Sequence, residues 1–145
     1  MTPKPRRTAA AALLALVALS GCGSAATVAN PAAHPAPGLV VLDESADRTR
    51  ITVAPGTTVR TELHNTYWSP ATSTDPGLLA PAGQPTTAAA PSCRPGSGCG
   101  TVTTAFTART AGSARLTAHR TSCGEARPCP PGQQDYTVDV DIAAR

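Results

Sequence analysis

Gly112-Ser113-Ala114-Arg115-Leu116-Thr117-Ala118-His119, a loop carrying Cys123 and Cys129, and then Tyr136-Thr137-Val138-Asp139-Val140-Asp141-Ile142 decide the fold of this 145-residue chain. In the second arm Tyr136, Val138, Val140 and Ile142 fall on one face, while Thr137, Asp139 and Asp141 fall on the other. A period of two marks a half-buried antiparallel strand. The stretch therefore predicts a hairpin closed by a cysteine-bearing loop that runs from Arg120 to Gly132.

Working upstream, Thr101 to Ala108 is a further strand with Val102, Thr104, Phe106 and Ala108 inward, and Thr110-Ala111-Gly112 turns it into the hairpin. Thr57 to His64 alternates in the same way, with Val59, Thr61 and Leu63 inward. Arg50-Ile51-Thr52-Val53 precedes it across Ala54-Pro55-Gly56, which reads as a hairpin turn. Leu39-Val40-Val41-Leu42 is an apolar run ended by the polar turn Asp43 to Asp47. Between Ser69 and Pro91 the chain is dominated by Pro, Ala, Thr and Gly, with Leu78-Leu79 as a short strand, and reads as a mobile loop-rich crossing. After Leu39 no 3.6-residue apolar period persists over two turns. Short strands about ten residues apart, punctuated by Pro and Gly, predict an all-β, immunoglobulin-like antiparallel β-sandwich over residues 39–145.

The start of the chain is read differently. Lys4, Arg6 and Arg7 precede the apolar stretch Ala9 to Leu19, which is too short to span a bilayer stably. Leu19-Ser20-Gly21-Cys22 resembles the lipobox of bacterial lipoproteins, which implies removal of residues 1–21 as a signal peptide and acylation of Cys22. The apolar residues expected after a twin-arginine pair are missing, so general secretion is the expected route. Residues 22–38 are rich in Ala, Pro, Gly and Ser and cannot bury a core, so they read as a tether, with His34 solvated in it. The expected location is the extracytoplasmic face of the cell membrane, held by the lipid on Cys22.

Cleavage changes the charge balance. With Lys4, Arg6 and Arg7 removed, nine basic residues face nine acidic ones, and every remaining cation is an arginine. The basic excess belongs to the leader, which argues against nucleic acid as a partner. Acylation of Cys22 leaves an even set: Cys93, Cys99, Cys123 and Cys129. In an oxidising compartment two disulfides are expected, and the two equal short intervals favour the local rings Cys93–Cys99 and Cys123–Cys129 over the other two pairings. A zinc site is the competing reading, with intervals longer than zinc usually takes.

Nothing points to catalysis. His64 and His119 fall on outward strand positions with no carboxylate at an orienting spacing, and no serine sits in a nucleophile-elbow pattern. Asp139 and Asp141 could approach a calcium ion, but alternate charges on a solvated strand face account for them. No cofactor or metal is expected. With only four Phe, Trp and Tyr residues, Trp68 is a candidate for the core, or for a contact at a loop edge. Loops fixed by turns and disulfides lower the ordering cost of binding, so a monomeric protein-binding module is the reading that fits.

The order of these pieces resembles the chagasin-like cysteine peptidase inhibitors, over about Arg50 to Ile142. The resemblance is carried by Ile-Thr-Val, Pro-Gly and Thr-Thr-Val at the start, Asn65-Thr66-Tyr67-Trp68, Gly96-Ser97-Gly98-Cys99-Gly100, and His119-Arg120 before the last Val-rich strand. It implies an immunoglobulin-like domain whose three loops at one end wedge into the cleft of a papain-like peptidase. Asn65, Thr66, Tyr67 and Trp68 look like the remnant of the first loop, Gly96, Gly98 and Gly100 like the second, and Arg120 like the arginine that opens the third. The alternative is a non-inhibitory envelope interaction or structural module on the same fold.

Overall fold

A computed structural model describes residues 36–125 and 127–144. The expected signal peptide, Cys22 and the tether as far as residue 35, His34 included, lie outside the described residues. The strands are β1 (Leu39–Leu42), β2 (Thr49–Val53), β3 (Thr58–Leu63), β4 (Thr72–Ser73), β5 (Leu79–Pro81), β6 (Thr86–Ala89), β7 (Gly100–Ala108), β8 (Gly112–His119) and β9 (Asp135–Ile142). A one-turn 3-10 helix, Glu44–Ala46, joins β1 to β2; it is capped by the Asp43 carboxylate, which accepts from the Ser45 amide.

Two sheets pack face to face. One has the order β1-β3-β7-β5, with β6 also paired to β7; the other has the order β2-β9-β8-β4. The alternations that mark β3, β7 and β9 are obeyed residue by residue: Val59, Thr61 and Leu63, then Val102, Thr104, Phe106 and Ala108, face Leu116 of β8 and Tyr136, Val138, Val140 and Ile142 across the core. Complete burial of such a side chain is worth roughly 1.5–3 kcal/mol, so the inner faces fix the strand registers. The β8–β9 hairpin runs from Gly112 opposite Ile142 to His119 opposite Asp135. Thr61 and Thr104 keep their hydroxyls satisfied inside: Thr61 Oγ1 donates to the Thr104 carbonyl at 3.3 Å, and Thr104 Oγ1 accepts from the Ala71 amide at 3.2 Å.

Three features differ from expectation. The Pro55-Gly56 turn does not close a hairpin: β2 pairs with β9 in one sheet, β3 with β1 and β7 in the other, so the turn hands the chain from layer to layer. Alternation and turn residues locate a corner without saying which sheet each arm joins. The sandwich is antiparallel except at two edges, where β1 lies parallel to β3 and β2 parallel to β9. The crossing Ser69 to Pro91 is threaded with β4, β5 and β6 rather than being a long loop. β6 is exposed at all four positions, so no apolar pattern announces it; backbone pairing with β7, from Thr86 opposite Thr103 to Ala89 opposite Gly100, holds it.

On the outer face of the second sheet, Arg50 donates to Asp141 at 3.0 Å and to Asp139 at 3.3 Å, and Arg115 donates to Asp139 at 2.7 Å. The Arg115 hydrogen bond chiefly holds Asp139 below the usual carboxylate range, and Ser113 followed by Arg50 does the same for Asp141. Guanidinium groups therefore stand where the sequence allowed a calcium ion.

Candidate functional site

The loop after β3, the Cys93–Cys99 ring before β7 and the β8–β9 loop come together at one end of the sandwich. Antiparallel pairing of β3 with β7 puts Leu63 opposite Val102, which brings the first two loops side by side. Ser69 and His119 join the first and third: the Ser69 amide donates to the His119 carbonyl at 2.8 Å, and the His119 amide to Ser69 Oγ at 3.0 Å.

Asn65 shapes the first loop. Its side-chain oxygen accepts from the Tyr67 amide at 2.8 Å, and its carbonyl from the Trp68 amide at 3.2 Å. This Asx turn sends the Tyr67 ring toward the second loop. There Tyr67 Oη donates to the Gly96 carbonyl at 2.5 Å, and the Thr66 amide to the Gly98 carbonyl at 2.7 Å. From the other side the Glu125 amide of the third loop donates to the same Gly96 carbonyl at 2.9 Å. One peptide oxygen thus joins all three loops.

Glycine is required where these loops touch. Gly98 is buried with φ +72°, and a Cβ there would lie 2.5 Å from the Tyr67 ring and 2.7 Å from the Asn65 side-chain oxygen. At Gly100, φ +147°, a Cβ would meet the Ala88 carbonyl at 2.2 Å. Both disulfides are the local rings: Cys93–Cys99 and Cys123–Cys129, with Cα atoms 5.8 and 4.9 Å apart. The first closes the turn that presents Gly96. The second closes the tip of the third loop, where the Cys123 amide donates to the Arg127 carbonyl and the Cys129 amide to the Thr121 carbonyl.

Trp68 is only 6% exposed and belongs to the core, edge-on to Tyr136 with ring centroids 6.4 Å apart. The Arg120 guanidinium lies 4.3 Å over its ring and is steadied by Arg120 Nε donating to the Gln133 carbonyl at 3.0 Å. A cation over an indole face is attracted by the ring quadrupole. The candidate residues thus divide by position. Thr66, Tyr67, Gly96 and Arg120 lie at or near the surface of the tip, while Trp68 and Gly98 are buried beneath it.

His64, just past β3, and His119, at the end of β8, are both exposed, yet each has a carboxylate that sequence spacing did not show. His64 Nδ1 is 3.0 Å from Glu44 Oε2, and Glu44 Oε1 also accepts the His64 amide. Hydrogen bonding to Glu44 raises the His64 pKa above its ordinary value, against a smaller effect of burial. His119 Nδ1 is 2.8 Å from Asp135 Oδ1. Among the described residues no hydroxyl or thiol is hydrogen-bonded to either imidazole; the first pair ties the 3-10 turn to the end of β3, and the second is a cross-strand pair at the mouth of the β8–β9 loop. No group of three or more His, Cys, Asp or Glu side chains suited to a metal occurs among the described residues.

No protein-family model and no curated protein sequence matches the chain. Solved structures do. The crystal structure of the cysteine protease inhibitor EhICP2 from Entamoeba histolytica superposes with a TM-score of 0.54 at 15% identity, over 75% of this chain and 99% of that one. The solution structure of amebosin superposes with a TM-score of 0.50 at 19% identity, over 74% of this chain and 100% of that one. Identities this low establish the architecture alone: the chain has a chagasin-like β-sandwich fold.

Proposed function

We propose that the protein binds a papain-like cysteine peptidase through the three joined loops and is held at the extracytoplasmic face of the cell membrane by a lipid on Cys22. The observation that carries the reading is the Gly96 carbonyl, which receives Tyr67 from the first loop and Glu125 from the third. A tip tied in this way is organised before it meets a partner, so less ordering entropy opposes binding. The sharing of its fold with a solved cysteine protease inhibitor supports a cysteine peptidase as the partner.

The test is inhibition of a panel of papain-like peptidases by the protein, with Gly98→Asp as the loop-disrupting control. Inhibition at micromolar concentration or below, lost in the variant, is expected; no inhibition of any member defeats the reading. Anchoring is tested separately by palmitate labelling, which Cys22→Ser should abolish.

A second reading is favoured by Arg120, whose guanidinium lies on Trp68. That placement ties the loop inward and suits an envelope interaction module without inhibitory action. Binding of a non-peptidase envelope protein with no inhibition would identify it.

A further inference from the structure

β6 pairs with β7 from Thr86 opposite Thr103 to Ala89 opposite Gly100, and the ladder continues into the next pair, where the Ala90 amide donates to the Cys99 carbonyl at 3.2 Å. In an antiparallel ladder alternate residues turn both backbone groups to the same neighbour. Thr86, Ala88 and Ala90 therefore turn theirs to β7. Thr87 and Ala89 turn N–H and C=O the other way, where no strand pairs with them among the described residues. The side chains are as open as the backbone. Thr87 stands opposite the buried Val102, on the core face of its sheet, yet it is exposed, as is Ala89. β6 thus runs past the cover of the second sheet and is held by one neighbour alone.

A free edge is a template for pairing, and proteins usually blunt it with charged side chains or with Pro set along it. From Ala80 to Ser92 the chain carries no charge at all. Pro85 and Pro91 stand three residues either side of Ala88, in step with the outward-turned Thr87 and Ala89. Having no N–H, they end the open ladder on both sides and leave Thr87 and Ala89 to pair.

This spacing is symmetric about Ala88, and the symmetry selects the occupant. When two copies of β6 meet antiparallel on a two-fold axis at Ala88, Thr87 of each lies opposite Ala89 of the other, and each such pair exchanges both N–H···O bonds. Ala88 then faces Ala88, Thr86 faces Ala90, and the prolines face each other. A slip of two residues in either direction brings a proline into the ladder and leaves a carbonyl of Thr87 or Ala89 without its donor. The facing side chains are small and neutral, so the two-fold axis opposes no like charges.

We propose that the protein self-associates through β6, the free edge of one copy pairing antiparallel with that of a second and carrying the sheet across the two-fold axis. A dimer then replaces the monomer expected from the sequence. The inference stands on the edge itself and does not rest on peptidase binding or on the lipid.

Sedimentation equilibrium from micromolar to millimolar concentration should show monomer and dimer in exchange. The Thr87 and Ala89 amides should exchange hydrogen more slowly as concentration rises, while Thr86 and Ala88, already bonded to β7, stay unchanged. Thr87→Pro removes an outward donor without touching the β7 ladder, so the variant should fold, with a dimer dissociation constant raised about tenfold or more. Register is read with cysteines. Across the axis the Ala88 Cα atoms would lie about 4.5 Å apart, within the roughly 4.4–6.8 Å that a disulfide spans, whereas the two Ala89 residues would be diagonal, about 7–8 Å apart. Ala88→Cys should therefore give a cross-linked dimer on mild oxidation severalfold faster than Ala89→Cys. A chain that stays monomeric at millimolar concentration overturns the proposal and leaves the edge to a strand of another protein. A dimer that Thr87→Pro leaves intact overturns it by showing that another surface is used, and equal linking rates of the two cysteine variants overturn the two-fold register.

Discussion

The Tyr67 hydroxyl and the Gly96 carbonyl, 29 residues apart in the chain, meet at 2.5 Å. The bond makes the second loop a support for the first, since Tyr67 has no other hydroxyl partner among the described residues. Tyr67→Phe keeps the ring and removes only this bond. A loss of about 1 kcal/mol in unfolding free energy is expected, with faster hydrogen exchange at the Thr66 amide, which donates to Gly98 beside it. Unchanged exchange at that amide would show that the loops are held by something else.

Gly96 and Gly98 separate two effects that are usually confounded. Both have positive φ, +82° and +72°, yet a Cβ at Gly96 would meet nothing within 4 Å, whereas at Gly98 it would press on Tyr67. Gly96→Ala should cost about 1–2 kcal/mol from backbone conformation alone. Gly98→Ala adds overpacking of about 1–3 kcal/mol to a similar backbone cost. Urea unfolding of the two variants checks the order, and equal midpoints would sink the claim.

Tyr136→Phe deletes a buried hydroxyl that has no protein partner among the described residues. The variant should match or exceed the parent in stability, by up to about 1 kcal/mol, because a desolvated polar atom is removed and the ring packing against Trp68 is retained. Thermal unfolding decides; a drop of several degrees in Tm would mean that the hydroxyl has a partner in solution.

His64 gives a pH dependence of known sign. Its pKa in the folded chain is raised above 6.5 by Glu44, so the stabilisation is fully present below that unfolded value and is lost as pH rises through the folded pKa. Stability should therefore decline modestly as pH rises above 6.5, and His64→Gln should flatten that slope. Asp43, Asp139 and Asp141 act oppositely at the acid end: their pKa values are lowered from 3.8, so what they add is present above that value and lost as pH falls through the folded pKa values. Denaturant midpoints measured from pH 3 to 9 test both limbs.

What the sequence revealed, and what it hid, follows from the range of the interactions. Alternation along β3, β7 and β9 is a local property imposed by burial on one face, so these strands and their inward residues could be read directly, and β8 was read as the first arm of the hairpin. Equal cysteine intervals gave both rings for the same reason. β6 was hidden because all four of its side chains are exposed and only its backbone is used. The destination of β2 was hidden because a Pro-Gly corner looks alike whether the chain turns within a sheet or between sheets. At the tip, Asn65 to Trp68 and the glycines marked two loops that the fold brings side by side. Glu125 donating to Gly96, Glu44 holding His64 and Arg120 covering Trp68 each join segments at least 20 residues apart, and no spacing rule announces such contacts.

The two rings close over a sequence separation of six residues each, although their four cysteines lie at one end of the molecule. A thiol whose partner is six residues away meets it far more often than it meets a thiol across the domain, because the entropy of closing a loop rises with its length. Pairing is thus decided by distance along the chain and does not wait for the sheets to form. A shuffling catalyst has little to correct here: the crosslinks among the described residues are ones the unfolded chain already prefers, and the sheets remain free to find their strand order without a covalent constraint between layers.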